Sequence, residues 1–287
     1  MKPGQFAYHA PKTGEAAVAR LSAGAAHEGR VLAGGQSLVP AMALRLALPG
    51  HLVDINGVAG LEHLAAEAGE LAIGACVRHA RFERPVVEGP LGRLLACVVR
   101  YIAHYPIRTR GTFCGSLAHA DPASEWCLVA ATLGARMVAK SARGTRTITA
   151  ADYFQGMMAT ALAPDELLAE TRLPMPSPDT HFGFYEFNRR AGDFALVMGL
   201  AAYRIEHGVI VDPRVGVGGV EEQPRRIPEA EAALKGCAAT GDVFRAAADA
   251  AAKAVEPIDS KPELAGYKRD VTRTAVRRAL EAAEKSL

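Results

Sequence analysis

The chain has no run of 18 apolar residues, no C-x-x-C or H-x-x-x-H pair, and neither G-x-G-x-x-G nor G-x-x-x-x-G-K-[ST]. Each absence narrows its chemistry. Without a long apolar run, membrane insertion is not expected. The start, Met1-Lys2-Pro3-Gly4-Gln5-Phe6, lacks an apolar signal core, so a reducing cytoplasm is the expected compartment. Five cysteines (Cys76, Cys97, Cys114, Cys127, Cys237) form neither a disulfide framework nor the ligand spacing of an iron–sulfur cluster or structural zinc, so no metal site is expected in this chain. Lys and Arg number 33 against 31 Asp and Glu, a net charge of +2, and nothing points to nucleic acid as a partner. What is present is 287 residues with 49% hydrophobic content, enough for two buried cores.

Two glycine-hydroxyl loops, about 80 residues apart, carry most of the information. The first is Ala33-Gly34-Gly35-Gln36-Ser37. Val31-Leu32-Ala33 reads as a buried strand running into it, and Leu38, Met42 and Leu46 as a short helix leaving it, with Ser37 placed to cap. A Gly-Gly pair removes two side chains, so backbone N–H groups can approach a pyrophosphate, and a branched side chain at Gly35 would obstruct that approach. Taken alone, the pair also suits a tight turn. The second loop runs from Arg110 to Glu125. Thr112, Gly115 and Ser116 alternate hydroxyl and bare backbone, and Asp121-Pro122 is expected to open a helix through Trp126, Leu128 and Val129 to Gly134, with Glu125 in its first turn. A carboxylate there suits ribose or adenine hydrogen bonds better than phosphate; it also simply complements the helix dipole.

These loops, together with Arg189-Arg190-Ala191-Gly192-Asp193-Phe194-Ala195-Leu196, resemble in order and spacing the FAD-binding medium subunits of molybdenum hydroxylases. That family includes the medium chains of carbon monoxide dehydrogenase and quinoline oxidoreductase and the flavin domain of xanthine dehydrogenase. The resemblance covers essentially the whole chain. It implies that Gly34, Gly35, Gln36 and Ser37, flanked by Ala33 and Leu38, form a first pyrophosphate loop. Thr112, Gly115 and Ser116, with Gly111, Cys114 and Ala118, would form the second. Glu125 stands where the family has an acidic residue at the ribose or adenine end, Ile102 at an apolar position beside the cofactor, and Leu168 at a leucine near the adenine. Asp193 and Phe194 match the segment approaching the isoalloxazine ring. One departure is clear: many relatives read Thr-x-Gly-Gly-Asn where this chain has Thr112-Phe113-Cys114-Gly115-Ser116. Cys114 is then expected to narrow the space beside the phosphates. Its reading as a small buried residue outweighs a redox role.

The organisation suggests an α+β fold. The chain is expected to divide into 1–176, two α/β subdomains split near 56, and 177–287, an antiparallel sheet with helices. Pro174, Pro176 and Pro178 mark the boundary. In the first part we expect a helix near Thr13–Ala23, strands Leu52–Ile55 and Leu71–Ile73, a helix over Leu91–Tyr105, and a hairpin joining Ala135–Lys140 to Thr145–Ile148. In the second, strands are expected at Phe184–Asn188, Leu196–Arg204, Val209–Val211 and Val215–Val220. Helices follow at Glu229–Lys235, Asp242–Val255 and Tyr267–Lys285. By resemblance the first part is a bipartite FAD-binding domain of the molybdenum-hydroxylase and vanillyl-alcohol-oxidase type.

The resemblance implies an FAD-bearing electron-transfer subunit without catalytic acid–base residues of its own. Its partners would be a small subunit with [2Fe-2S] clusters and a large subunit with a molybdopterin cofactor, assembled as a dimer of heterotrimers. Substrate hydroxylation, on an N-heterocycle for example, would occur on the large subunit. An alternative is a stand-alone FAD-dependent oxidase or reductase; there His119, inside the second loop, would be the candidate for covalent flavin attachment, although its setting better suits orienting the turn. A cofactor-free scaffold on the same fold is the third reading.

Overall fold

The computed structural model describes residues 2–258 and 262–285. Its first layer is a parallel three-stranded sheet in which His51–Asp54 lies between Ala7–His9 and Arg30–Leu32. The helix Gly14–Gly24 links the outer strands. Thr13 caps it by accepting from the Ala16 amide at 3.2 Å, and Ala17, Val18 and Leu21 form its buried face. That face carries the 3-4 spacing of an amphipathic helix.

A second, antiparallel sheet has the order Leu64–Glu67, Glu70–Gly74, Leu167–Pro174, Arg136–Ser141, Gly144–Thr149. The last two strands are the expected hairpin. Its turn has Gly144 at φ +126°, a conformation open to glycine. The helices Phe113–His119 and Glu125–Leu133 pack on this sheet, and Pro90–Val98 packs on the strand His181–Phe187, with Phe82, Phe113 and Trp126 in ring contact at the centre.

A four-stranded antiparallel sheet follows, in the order His181–Phe187, Val197–Glu206, Val209–Gly218, Arg225–Arg226. Alternation along Val197–Glu206 sends Met198, Leu200 and Ala202 into the first core, and Val197, Ala201 and Tyr203 into a second core beneath the helices Pro228–Leu234, Gly241–Ala254 and Pro262–Glu284. This sheet is therefore covered on both faces. The long helix lies against it so closely that a Cβ on Gly183 would sit 1.9 Å from the Ala279 carbonyl oxygen. No helix among the described residues is long and apolar enough to cross a membrane.

Several elements differ from expectation for local reasons. The Leu91–Tyr105 helix stops at Val98, and after a turn Tyr105–Arg108 forms a separate short helix with Pro106 in its first turn. The helix expected to open at Asp121-Pro122 begins at Glu125 instead, because the Asp121 carboxylate accepts from the Ala123 amide at 2.9 Å and holds a turn there. Val209–Gly218 is one strand rather than two, with an irregularity opposite Ala202–Arg204. The helix after the first loop ends at Ala43; Arg45 turns left-handed at φ +60°, which leaves Leu46 80% exposed instead of on a buried face.

Candidate functional site

The structure brings the two loops into contact. Gly34 packs on the backbone of the second loop, where an added Cβ would lie 2.4 Å from the Arg110 carbonyl oxygen and 2.6 Å from Gly111 Cα. Gly35, at φ +73°, makes the turn itself. The main-chain donors tell more. Among the described residues, the N–H groups of Gly34, Gly35, Gln36, Ser37 and Leu38 donate to no protein acceptor, nor do those of Thr112 and Cys114. Unpaired backbone N–H groups on adjoining loops have the chemistry to bind an anion. The expectation that Ser37 caps the following helix is corrected: it occupies the cap position, but its side chain makes no capping bond, while Gln36 donates back to the Gly34 carbonyl at 3.1 Å.

Thr112 is buried and accepts from the Gly115 amide at 3.0 Å, which starts the helix Phe113–His119. That cap sets the phase of the first turn. It turns Cys114 inward, where Sγ donates to the Ile73 carbonyl at 3.3 Å and meets Thr171 Oγ1 at the same distance. The expectation that Cys114 narrows the space beside a phosphate is therefore wrong. Its side chain lies in the core, its backbone is helical, and burial pushes the thiol up to about 12, far from a reactive thiolate. Gly115 and Ser116 remain half-buried at the helix start, Ala118 is exposed on the outer face, and His119 ends the helix. Gly111 abuts His79, whose Nε2 would be 2.5 Å from a Cβ there. His79 accepts from the Trp126 indole at 2.9 Å, and burial, then Arg108 and Arg78, hold it down to about 3, so it is neutral.

The remaining candidates divide between core and surface. Ile102 is buried, and its carbonyl accepts from Arg108 at 3.0 Å. Gly192, at φ +84°, lies against the His104 ring and brings Asp193 and Phe194 beside this segment; Phe194 is 76% exposed. Leu168 is buried in the strand Leu167–Pro174 beside an irregularity, three residues from Thr171 at the Cys114 thiol. Its side chain belongs to the same core as that of Cys114. Among the described residues, no group of three or more His, Cys, Asp or Glu side chains is placed to hold a metal ion.

Glu125 is buried at the first helical position, next to an acidic residue that sequence reasoning missed. Burial first, and then Glu186 and Asp121, push its carboxyl up to about 8. Burial likewise pushes Glu186 up to about 7, against the Asn188 amide that donates to its Oε1 at 2.9 Å; its Oε2 is buried without a partner. Glu186 Oε2 therefore has capacity to spare for a hydroxyl or amine donor. Glu186 lies on the strand His181–Phe187, far along the chain on the same face as Phe182 and Phe184, so no local signal pairs it with Glu125.

The pair gives a pH prediction. Both carboxyls titrate higher folded than unfolded, where the ordinary value is 4.5. Their contribution to stability is full below about pH 4.5 and is lost as pH rises through the folded values near 7 and 8. Glu125→Gln cannot ionise. Thermal unfolding of the cofactor-free chain between about pH 5 and 8.5 is expected to show a shallower fall in the variant, a difference of about 1–3 kcal/mol at the alkaline end. Parallel curves for the two proteins would remove the buried pair as the cause.

Comparison with known proteins shows the family. The FAD binding domain in molybdopterin dehydrogenase matches residues 4–176, and the CO dehydrogenase flavoprotein C-terminal domain matches residues 182–283. The nicotine 6-hydroxylase medium subunit of Paenarthrobacter nicotinovorans is 36% identical over 281 residues, 98% of each chain. A solved chain of carbon monoxide dehydrogenase from Hydrogenophaga pseudoflava superposes with a TM-score of 0.93 at 35% identity, over 99% of both chains. One of quinoline 2-oxidoreductase from Pseudomonas putida 86 gives 0.90 at 33%, over 100% of this chain and 99% of that one. Family models matched over both halves and relatives shared from end to end lead to one conclusion: the chain belongs to the family of FAD-binding medium subunits of molybdenum-hydroxylase-type dehydrogenases.

Proposed function

We propose that the chain is the flavin-bearing electron-transfer subunit of a three-component enzyme. It receives electrons from [2Fe-2S] clusters of a small partner and passes them to an external acceptor, while hydroxylation of the substrate, an N-heterocycle in one version, takes place on a large molybdopterin subunit. The observation that carries the reading is the set of N–H groups at Gly34, Gly35, Gln36, Ser37 and Leu38 without a protein acceptor among the described residues, on a loop that packs through Gly34 against the one carrying those of Thr112 and Cys114. They fit the diphosphate of FAD. Ala33 and Gly111 supply the backbone on which these donors sit, and Gly115, Ser116 and Ala118 continue the second loop. Glu125 and Glu186 offer acceptors to ribose or adenine, and Ile102 and Leu168, both buried, contribute apolar packing from the core side. Asp193 and Phe194 stand at the isoalloxazine end, where an exposed aromatic ring can shield a bound flavin.

Bound FAD supplies two-electron acceptance with one-electron release; the chain's own residues hold the cofactor and control which faces of it stay open. A partner surface is supported by apolar side chains left in solvent beside the first loop: Val39, Leu44, Leu46 and Leu48, each at least half exposed. The functional division at residues 176 and 177, a cytoplasmic setting and a dimer of heterotrimers complete the reading. The test is an absorption spectrum of the complex purified from its source, with iron and molybdenum analysis. Flavin bands at roughly 370 and 450 nm, with both metals in companion chains, are the expected result. Flavin without either metal would overturn it in favour of a self-contained oxidase or reductase.

A further inference from the structure

The two loops touch, yet no hydrogen bond runs directly between them among the described residues. The polar path between them passes through two side chains outside either loop. Asn56 Nδ2 donates to the Ala33 carbonyl at 2.8 Å, and Asn56 Oδ1 accepts from Arg78 at 2.6 Å. The other arm of the Arg78 guanidinium donates to the Arg110 carbonyl. Arg78 also aligns with Thr112 in an isolated antiparallel bridge, flanked by Phe113 N–H to the Val77 carbonyl and His79 N–H to the Gly111 carbonyl. Asn56 is itself fixed: the Asp54 carboxylate accepts from its backbone amide at 2.9 Å and its side chain at 2.6 Å, and accepts from the Tyr8 hydroxyl on its other oxygen.

Resting on the cofactor reading above, we propose that Asn56 and Arg78 are a clamp that positions the two diphosphate loops and aims their donors. Peptide planarity supplies the mechanism. A trans peptide points its C=O and the following N–H in opposite directions. When Asn56 holds the Ala33 carbonyl, the Gly34 N–H, which has no protein acceptor, is turned to the opposite side. When Arg78 holds the Arg110 carbonyl, the next N–H, of Gly111, is turned back to the Ile107 carbonyl at 2.8 Å, which anchors the second loop just before Thr112. The bond between Asn56 and Arg78 ties these two orientations together. Only a fork with two donating arms spans both acceptors; a lysine ammonium at the end of a single stem does not present that planar pair. The clamp sets the cradle before cofactor arrives, so its effect falls on affinity and on the environment of the two phosphorus atoms.

The experiment uses the full chain, stripped of cofactor and titrated with FAD. The variants are Asn56→Leu, Arg78→Met, the double variant and Arg78→Lys. Each single variant is expected to raise the FAD dissociation constant about tenfold or more. The double variant should be no weaker than the weaker single, because either change breaks the same link. Arg78→Lys should fall between wild type and Arg78→Met, and it preserves stem and charge should the others fold poorly. At saturating FAD, the phosphorus-31 resonances of the bound diphosphate should shift in the single variants while the flavin absorption bands stay in place. A merely structural role would lower the unfolding temperature and leave those resonances alone. Wild-type affinity and wild-type phosphorus spectra in the variants, or strictly additive losses, would overturn the clamp alone. Failure of the wild-type chain to bind FAD at all would instead overturn the cofactor reading.

Discussion

Gly34→Val is expected to abolish FAD retention, raising the dissociation constant about 100-fold or more, roughly 2.7 kcal/mol. Even Gly34→Ala should produce much of that loss. The reason is close approach, not backbone conformation, since Gly34 is absent from the positive-φ residues. Its Cβ would meet main-chain atoms, the Arg110 carbonyl oxygen at 2.4 Å and Gly111 Cα at 2.6 Å, which have no rotamer by which to move aside. The loops must separate, which moves the Gly34 and Thr112 donors apart. Gly35 is a different case. Its Cβ would meet only the Leu32 and Val39 side chains at 3.1 Å, so most of the cost of a substitution comes from holding φ +73°, about 1–2 kcal/mol. Sequence reasoning placed the steric requirement at Gly35; the structure places the tighter one at Gly34. Equilibrium dialysis of FAD against the purified variants checks this, and wild-type occupancy in Gly34→Ala would show that the loops yield without loss.

Gly183→Ala should leave the cradle alone and destabilise the other half of the molecule. Gly183 and Gly199 lie on the face of the sheet against the helix Pro262–Glu284, where added Cβ atoms would stand 1.9 Å from the Ala279 carbonyl oxygen and 2.9 Å from the Ala275 carbonyl group. The helix has to lift off the strand, opening gaps around Val276, Ala279 and Leu280, all fully buried. A loss of about 3 kcal/mol is expected, and a melting temperature lower by roughly 6–12 °C. Gly266→Ala on the same helix, with nothing among the described residues within 4 Å of its Cβ, is the control and should be neutral or slightly stabilising. Equal melting temperatures for Gly183→Ala and wild type would mean that the helix is free to move outward at no cost.

The local elements were legible in the chain because their signals act over a few residues. The hairpin Arg136–Ser141 and Gly144–Thr149 follows from alternation on either side of a glycine turn, and the first helix from Thr13 before an apolar stripe. Where a competing local interaction intervened, the reading slipped: the Asp121 turn delayed a helix to Glu125, and the left-handed Arg45 ended another at Ala43. The two glycine loops were visible as a pair of donor-rich segments. The fate of each side chain within them was not, since the direction of Cys114 depends on helix phase, and that depends on the Thr112 cap.

The sequence by itself determined which backbone segments lack side chains, which carry hydroxyls, and that their order and spacing are those of a flavin-binding medium subunit. Tertiary structure alone decided that Gly34 lies against Arg110–Gly111, that Glu125 shares its burial with Glu186, and that Asn56 and Arg78 join the two loops. The physical reason is range. Propensity, capping and turn chemistry are settled between near neighbours, whereas the approach of segments many residues apart is settled by how the sheets and helices pack, and a cradle made from both loops exists only after that packing is complete.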